Sequence, residues 1–371
     1  MRVAVVAETF LPRMNGVVNS VIHITRHLKA RGIPVVIVTA SAYPDTSFEG
    51  IPVERVLAVT LPGVHEYDVA VGRFSRCASI LAEFEPTVVH LASPFVLGAR
   101  MQAAAHAAGV PTVAVFQTDV AGFAAHYRFG PLARAADSVV RRIHTDADLT
   151  LVPSSACEEY LHGLGVRRTR RWGRGVDVEQ FHPHRRSAAL RSAWTTAPVS
   201  VGFVGRVAPE KNVAMLAHLA DEPDVHVVVI GDGPSRTALA RSLPRATFTG
   251  RLSGDALGEA VASLDVVVAP GEHETFCQVV QEAMAAGVPV VAPAVGGPRD
   301  LVEHGRTGLL YPPGDAAAMR QAVRRLVDNP GLRQRMGAAG RERVAGRTWA
   351  RVIDELVRHY SDVGPGILQA A

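Results

Sequence analysis

Short unbroken apolar runs alternate along this chain with stretches whose apolar residues recur at helical spacing. Residues 3–7, Val-Ala-Val-Val-Ala, carry no polar side chain, the pattern of a strand covered on both faces of a parallel sheet. A loop with Pro12 and Asn15-Gly16 follows. Then Val17, Val18, Val21, Ile22, Ile24, Thr25 and Leu28 mark one helix face, which Arg31-Gly32 closes. Residues 35–38 read as the next strand. The alternation continues with a strand at 88–89 before His90, a small-residue helix over 99–108, and strands at 112–116 and 149–152. A second series starts later, with strands at 199–204, 225–230, 266–269 and 288–291. Helical, charged patterns over 316–328 and 331–344 and a last helix over 349–360 complete it. Short buried strands alternating with helices predict an α/β chain of doubly wound parallel sheets. There are no tandem repeats.

Length divides this pattern in two. At roughly 100 to 200 residues per domain, 371 residues predict two domains. Residues 171–183 are rich in Gly, Arg, His and Pro and low in periodicity, so the hinge is placed there. The expected division is 1–172, 173–348, and a last helix with a loose tail over 349–371. An apolar fraction of 48% excludes wholesale disorder. The net charge of +4 is too small for a dedicated nucleic-acid binder, but it allows a local patch facing anionic lipid or phosphate. Cys77, Cys157 and Cys277 have neither metal-ligand nor disulfide-framework spacing, which suits a reducing cytoplasm. No apolar run reaches the ~18 residues of a membrane span, and the first run is too short for a signal peptide.

Open parallel sheets bind ligands beyond the carboxyl ends of their strands, so a cleft between the domains is the expected site. The loop ending in Asn15-Gly16 opens a helix, where Gly permits close approach and free amides favour an anion. An ordinary strand-to-helix turn is the competing reading. Gly205-Arg206 ends the first strand of the second series, and Glu210-Lys211 follows. Arg as a donor fork and Lys as a point charge suit a diphosphate. The chain has only two lysines, Lys29 and Lys211, so composition alone explains Lys211 poorly. A solvated Glu-Lys pair is the alternative. Residues 271–282 are the densest constellation. Glu274 is placed near a helix start and Glu282 about two turns into that helix, with both carboxylates able to accept from sugar or ribose hydroxyls. Helix capping and a surface Glu would explain the same residues. Gln117 and Asp119 follow another strand, where Asp119 could equally be an N-cap. His90 and the group His126, Tyr127 and Arg128 stand in similar positions.

Together these residues resemble the retaining glycosyltransferases of family four, which have the GT-B fold. The strongest part is Glu274 and Glu282 followed by Ala-Met-Ala-Ala-Gly287-Val-Pro289, then Gly296-Gly297 and Gly305-Arg-Thr-Gly308, together with Gly205-Arg206 and Glu210-Lys211. Asn15-Gly16-Val-Val, Trp172-Gly-Arg174-Gly175-Val176-Asp177 and Phe181-His-Pro183 look most like a subgroup of GDP-mannose-dependent α-mannosyltransferases of actinobacterial glycolipid and lipoglycan assembly. The resemblance implies two Rossmann-like domains facing across a cleft, with the last helix crossing back to the first. It implies that Arg206 and Lys211 bind the donor diphosphate and stabilise its charge as it leaves. Glu274 and the amides of Thr275, Phe276 and Cys277 would hold the sugar, and Glu282 the ribose. Gly205 belongs to the same donor site, with the base near Gly231-Asp232-Gly233 and Arg251-Leu252. Gly16 would let its loop close on the phosphates. Asn15, Gln117 and Asp119 are assigned to sugar or acceptor positioning. No metal or other cofactor is implied, and no protein nucleophile is required. Three departures stand out. Gln117 occupies a place where many relatives carry a donor-contacting His, Cys277 one where Gly is common, and the first loop has one Gly where many have two.

The acceptor is expected to be a glycolipid or lipoglycan hydroxyl. Arg134, Arg141, Arg142, Arg167, Arg168, Arg170 and Arg171 cluster in the first domain, and the first three fall on an expected helix over 132–144. That face suits either an anionic membrane surface or plain solvation. With the resemblance, the expectation is a cytoplasmic enzyme, peripheral at the inner membrane face. Within the class, a UDP-sugar donor with a small soluble acceptor is the alternative. A nucleotide-sugar epimerase shares the architecture, and so would a binding-only relative without turnover. A nicotinamide oxidoreductase conflicts with the absence of Gly-x-Gly-x-x-Gly after the first strand.

Overall fold

The structure, a computed structural model, describes residues 1–40, 43–60, 68–71, 74–117 and 130–364, with side chains described except at 60, 68, 69 and 130–135. Two compact units divide the chain. The first holds residues 1–174 and resumes at Val352, and the second is Gly175–Arg351. The sequence placed these divisions at 172/173 and 348/349.

The first unit opens with β1 (Val3–Ala7), α1 (Gly16–Ala30) and β2 (Val35–Thr39). Short strands β3 (Ser47–Phe48), β4 (Ile51–Arg55), β5 (Ala58–Thr60) and β6 (Asp68–Ala70) follow, then α2 (Phe74–Phe84), β7 (Val88–Ala92), α3 (Val96–Ala107) and β8 (Thr112–Val115). Last come α4 (Gly130–Asp146), β9 (Leu149–Val152), α5 (Ser155–Gly163) and β10 (Thr169–Arg171). Its main sheet runs β10-β9-β8-β7-β1-β2-β4-β3, parallel except for β3, while β5 and β6 pair apart. All residues of β1, β2, β7, β8 and β9 are buried, which is why these strands read as largely apolar runs, with only Thr39, His90, Thr112 and Thr150 polar among them. The strands β3 to β6 and β10 were not expected. They are two to five residues long and lack such a run.

The second unit contains α6 (Ala188–Trp194), β11 (Val199–Val204), β12 (Val225–Ile230), α7 (Arg236–Ser242), β13 (Thr247–Gly250), α8 (Gly254–Ala262) and β14 (Val266–Val268). Then come α9 (Gln278–Ala285), β15 (Val290–Pro293), α10 (Gly296–Leu301), β16 (Gly308–Tyr311), α11 (Ala316–Val327) and α12 (Pro330–Val344). The sheet order is β13-β12-β11-β14-β15-β16, parallel throughout. Its two faces carry separate cores, one around Val228, Val267 and Met284, the other around Val229, Val268 and Met319. The last helix, α13 (Trp349–Asp362), spans the division at 351/352.

From Val352 onward α13 packs within the first unit, in keeping with the expected crossover. The Val352 carbonyl accepts from Trp172 Nε1 at 2.9 Å. Asp354 bonds His27 at 2.9 Å and Arg31 at 2.6 Å. Tyr360, buried, shares a 2.9 Å hydrogen bond with His90 Nδ1. His90, only a weak candidate from its place after Val88-Val89, proves to be a core residue. It lies inside β7, fully buried, and burial pushes its pKa down to about 3. A neutral core histidine results.

Candidate functional site

In the second unit the winding direction reverses at β11, which has β12 on one side and β14 on the other. Loops leaving β11 and β14 therefore emerge side by side, where open α/β sheets bind ligands. Lys211 comes from the first loop and Glu274 from the second. Lys211 Nζ donates to Glu274 Oε1 at 2.6 Å. The lysine side chain is one-third exposed and the carboxylate 16%. Burial works against the ammonium, but the Glu274 carboxylate outweighs it and holds its pKa above the ordinary value. Lys211 is thus a fixed positive charge at neutral pH. Arg206 is exposed and lies 3.5 Å from Glu210, so the two expected phosphate cations pair with different carboxylates.

Backbone packing sets the Glu274 loop. Gly297 N donates to the Glu274 carbonyl at 2.7 Å. A Cβ on Gly297 would lie 2.1 Å from the Phe276 carbonyl, and one on Gly296 2.6 Å from the Glu274 carbonyl. The Gly-Gly pair is therefore the only sequence that lets α10 start beneath residues 274–276 without displacement. Glu272 Oε1 accepts from Asn212 Nδ2 at 3.2 Å and from Gly314 N at 2.9 Å, tying the loops together a second time. Cys277 stands before α9 in the left-handed region, φ +69°. That region favours glycine, the residue the family resemblance leads one to expect at this place. Its thiol is buried, which pushes its pKa well up. It makes no side-chain cap to α9. Glu274 stands in the loop before α9, near the helix start as expected, but because α9 begins only at Gln278, Glu282 sits about one turn into the helix rather than two.

Residues expected around the base adjoin the same loops. Gly205 N donates to the Ile230 carbonyl and Gly231 N to the Gly250 carbonyl, each at 2.9 Å. A Cβ on Gly231 would stand 1.9 Å from the Gly205 carbonyl. Arg251 is exposed and Leu252 half-buried, directly after β13.

In the first unit the reversal lies at β1, between β2 and β7. Here a carboxyl of the chain itself meets the amides at a helix start. Glu8, just past β1, accepts from the amides of Phe95, Leu97 and Gly98 at 2.7, 3.0 and 2.9 Å. Burial raises its pKa, against the pull of those amides. Asn15 is the N-cap of α1, and its Oδ1 accepts from Val17 N and Val18 N, both at 2.9 Å. The amides of Val17 and Val18 are engaged within the chain, and the Asn15 oxygen caps α1. Gln117, just past β8 and buried, accepts through Oε1 from Arg174 Nη2 at 2.6 Å. A Cβ on Gly16 would meet Arg174 Nη1 at 2.7 Å. Gly16, Gln117 and Arg174 thus converge from three segments.

Sequence reasoning missed Glu8, Glu272, Asn212 and Arg174 as parts of these sites. Arg174 had a signal in the run Trp172–Asp177, and Glu272 had one in its place within residues 271–282. Asp119, His126, Tyr127 and Arg128 lie outside the described residues, as does the side chain of Arg134. Arg141 and Arg142 are exposed, whereas Arg170 forms an ion pair with Asp362. Among the described residues the three cysteines are free and buried, and no helix is long and apolar enough to cross a membrane.

Residues 14–180 match the family described as Glycosyltransferase Family 4, and residues 191–343 match Glycosyl transferases group 1. The chain is 49% identical over 380 residues to a GDP-mannose-dependent alpha-mannosyltransferase of Mycolicibacterium smegmatis, covering 100% of both. It is 42% identical to a protein of the same name from Corynebacterium glutamicum, covering 98% of this chain and 89% of that one. Among solved structures, sucrose-phosphate synthase from Thermosynechococcus elongatus superposes with a TM-score of 0.82 at 22% identity, covering 98% of each chain. That likeness shows the GT-B fold.

Proposed function

Since the chain belongs to glycosyltransferase family 4, we propose that it transfers mannose from GDP-mannose, with retention, to a hydroxyl of a glycolipid or lipoglycan. The observation that carries this reading is the Lys211–Glu274 pair at the strand-order reversal of the second unit, in a chain 49% identical throughout to a GDP-mannose-dependent enzyme. A permanently charged Lys211 suits a diphosphate whose negative charge grows as the bond to the sugar breaks. Arg206, exposed on the same loop, adds a donor fork. Glu274 accepts hydrogen bonds from sugar hydroxyls, beside the amides of Thr275, Phe276 and Cys277. Glu282 takes the ribose, and Gly205, Arg251 and Leu252 border the base.

In this mechanism the acceptor hydroxyl attacks the face from which the diphosphate leaves, and a leaving phosphate oxygen takes its proton. No metal is assigned a part. Gly16, Gln117 and Asp119 serve phosphate approach and the positioning of sugar or acceptor. Exposed Arg141 and Arg142 support a peripheral contact with anionic membrane at its cytoplasmic face.

Calorimetry with GDP, UDP and NAD, without added metal, tests the donor. Preference for GDP is expected, followed by mannose transfer from GDP-mannose to lipid extracts with an α-configured product. Preference for UDP would discard the mannose donor, and binding of NAD alone would remove glycosyl transfer.

A further inference from the structure

We propose that Arg174 is a positioning residue for transfer, acting by fixing which edge of the Gln117 amide faces a substrate hydroxyl. The inference rests on the role given to Gln117 in the preceding subsection. A guanidinium has only hydrogen-bond donors, so the Gln117 edge that meets it must be the carbonyl oxygen. The 2.6 Å bond from Arg174 Nη2 to Gln117 Oε1 therefore orients the whole side chain. Gln117 is 7% exposed, which leaves little room for another arrangement. Its Nε2, with two hydrogens, is turned away from Arg174 as a donor edge. A donor edge matches the lone pairs of a sugar or acceptor oxygen.

Arg174 is itself anchored. Trp172, two residues earlier, donates from its backbone to the Val152 carbonyl at 2.8 Å and from its ring to the Val352 carbonyl at 2.9 Å. These bonds hold the base of the arginine against β9 and α13. At the far end, Gly16 leaves space that a Cβ would deny to Nη1. Three segments thus cooperate to hold one guanidinium against one amide. The run Trp172-Gly-Arg174 acquires a function that its sequence did not disclose.

Four variants test this: Arg174→Gln, Arg174→Lys, Gln117→Glu and the Arg174→Gln/Gln117→Glu double. Gln117→Glu keeps an acceptor for Arg174 but removes the donor edge. The measurements are GDP and GDP-mannose Kd by calorimetry, mannose transfer to lipid extract of Mycolicibacterium smegmatis, and Tm. Arg174→Gln and Gln117→Glu should each lower transfer about tenfold, the loss of one well-placed hydrogen bond, with GDP affinity and Tm close to wild type. Arg174→Lys should recover part of the loss, and the double variant should be no worse than either single one.

A drop in GDP-mannose affinity relative to GDP assigns the hydroxyl to the donor sugar. An unchanged ratio with more extract needed for half-maximal transfer assigns it to the acceptor. Equal loss of GDP and GDP-mannose affinity in Arg174→Gln, normal transfer in that variant, or additive losses in the double variant would each overturn the proposal. Normal transfer in Gln117→Glu alone would overturn the role of Gln117 on which it rests. A wild-type protein that neither binds GDP nor transfers mannose would overturn the donor assignment, and this inference with it.

Discussion

The two units hold their candidate residues by different means. In the second, backbone packs on backbone. Gly297 and Gly231 lie so close to the carbonyls of Phe276 and Gly205 that no Cβ fits, and the Lys211–Glu274 bond sits on that frame. In the first, side chain holds side chain. Gly16 faces the end of the Arg174 side chain, which can swing aside, and Arg174 holds Gln117. Backbone cannot yield without moving a strand or helix, whereas an arginine can yield by a rotamer change. The second unit therefore owes its site geometry to its fold, and the first owes it to a few exchangeable hydrogen bonds.

Glycine replacements should separate the two most sharply. Gly297→Ala should destabilise by ~3 kcal/mol or more, because helix α10 must move off the 274–276 loop. Gly16→Ala should cost less than about 1 kcal/mol yet slow transfer by displacing Arg174. Thermal melts with parallel assays check both, and equal Tm losses would erase the contrast. Lys211→Ala should leave the fold intact and reduce transfer about 100- to 1,000-fold, the scale of losing one charge-stabilising donor.

Acidity adds a stability readout. The pKa of Lys211 is raised above its ordinary value of 10.5 by folding. Its ion pair should stabilise the protein fully below that pH and fade as pH rises through the higher folded value. The Tm gap between wild type and Lys211→Met should accordingly be flat at neutral pH and close in strong base.

The replacement of Cys277 by glycine provides the smallest effect on activity. Cys277→Gly should be within about 1 kcal/mol of wild type, since relief of the left-handed backbone offsets the lost packing. Cys277→Val should cost about 2 kcal/mol, because a β-branched residue resists φ +69°. Denaturant midpoints for the pair decide it, and a Val variant as stable as the Gly variant would remove strain from the account of this loop.

Strands such as β1 and β11 were legible in the sequence because burial on both faces selects mostly apolar residues, without exception in β1 and with Ser200 and Gly202 among the apolar residues of β11. The helix α1 was legible from its spacing and from Arg31-Gly32 at its end. The chemistry of Lys211, Glu274 and Gly16 was also legible, from residue type and place after a strand. Strand order was not. Nothing local in residues 205–211 announces that β14, rather than β12 alone, lies beside β11, so the partner of Lys211 could not be read. Glu8 follows an apolar run with nothing local to mark it, and only the fold brings the amides of Phe95, Leu97 and Gly98, at and just before the start of α3, to its carboxyl. The division of labour is physical. Periodicity and burial are properties of a short window, which the sequence by itself determined. The choice of hydrogen-bond partner depends on which loops the sheet order brings together, and only the tertiary structure decided that.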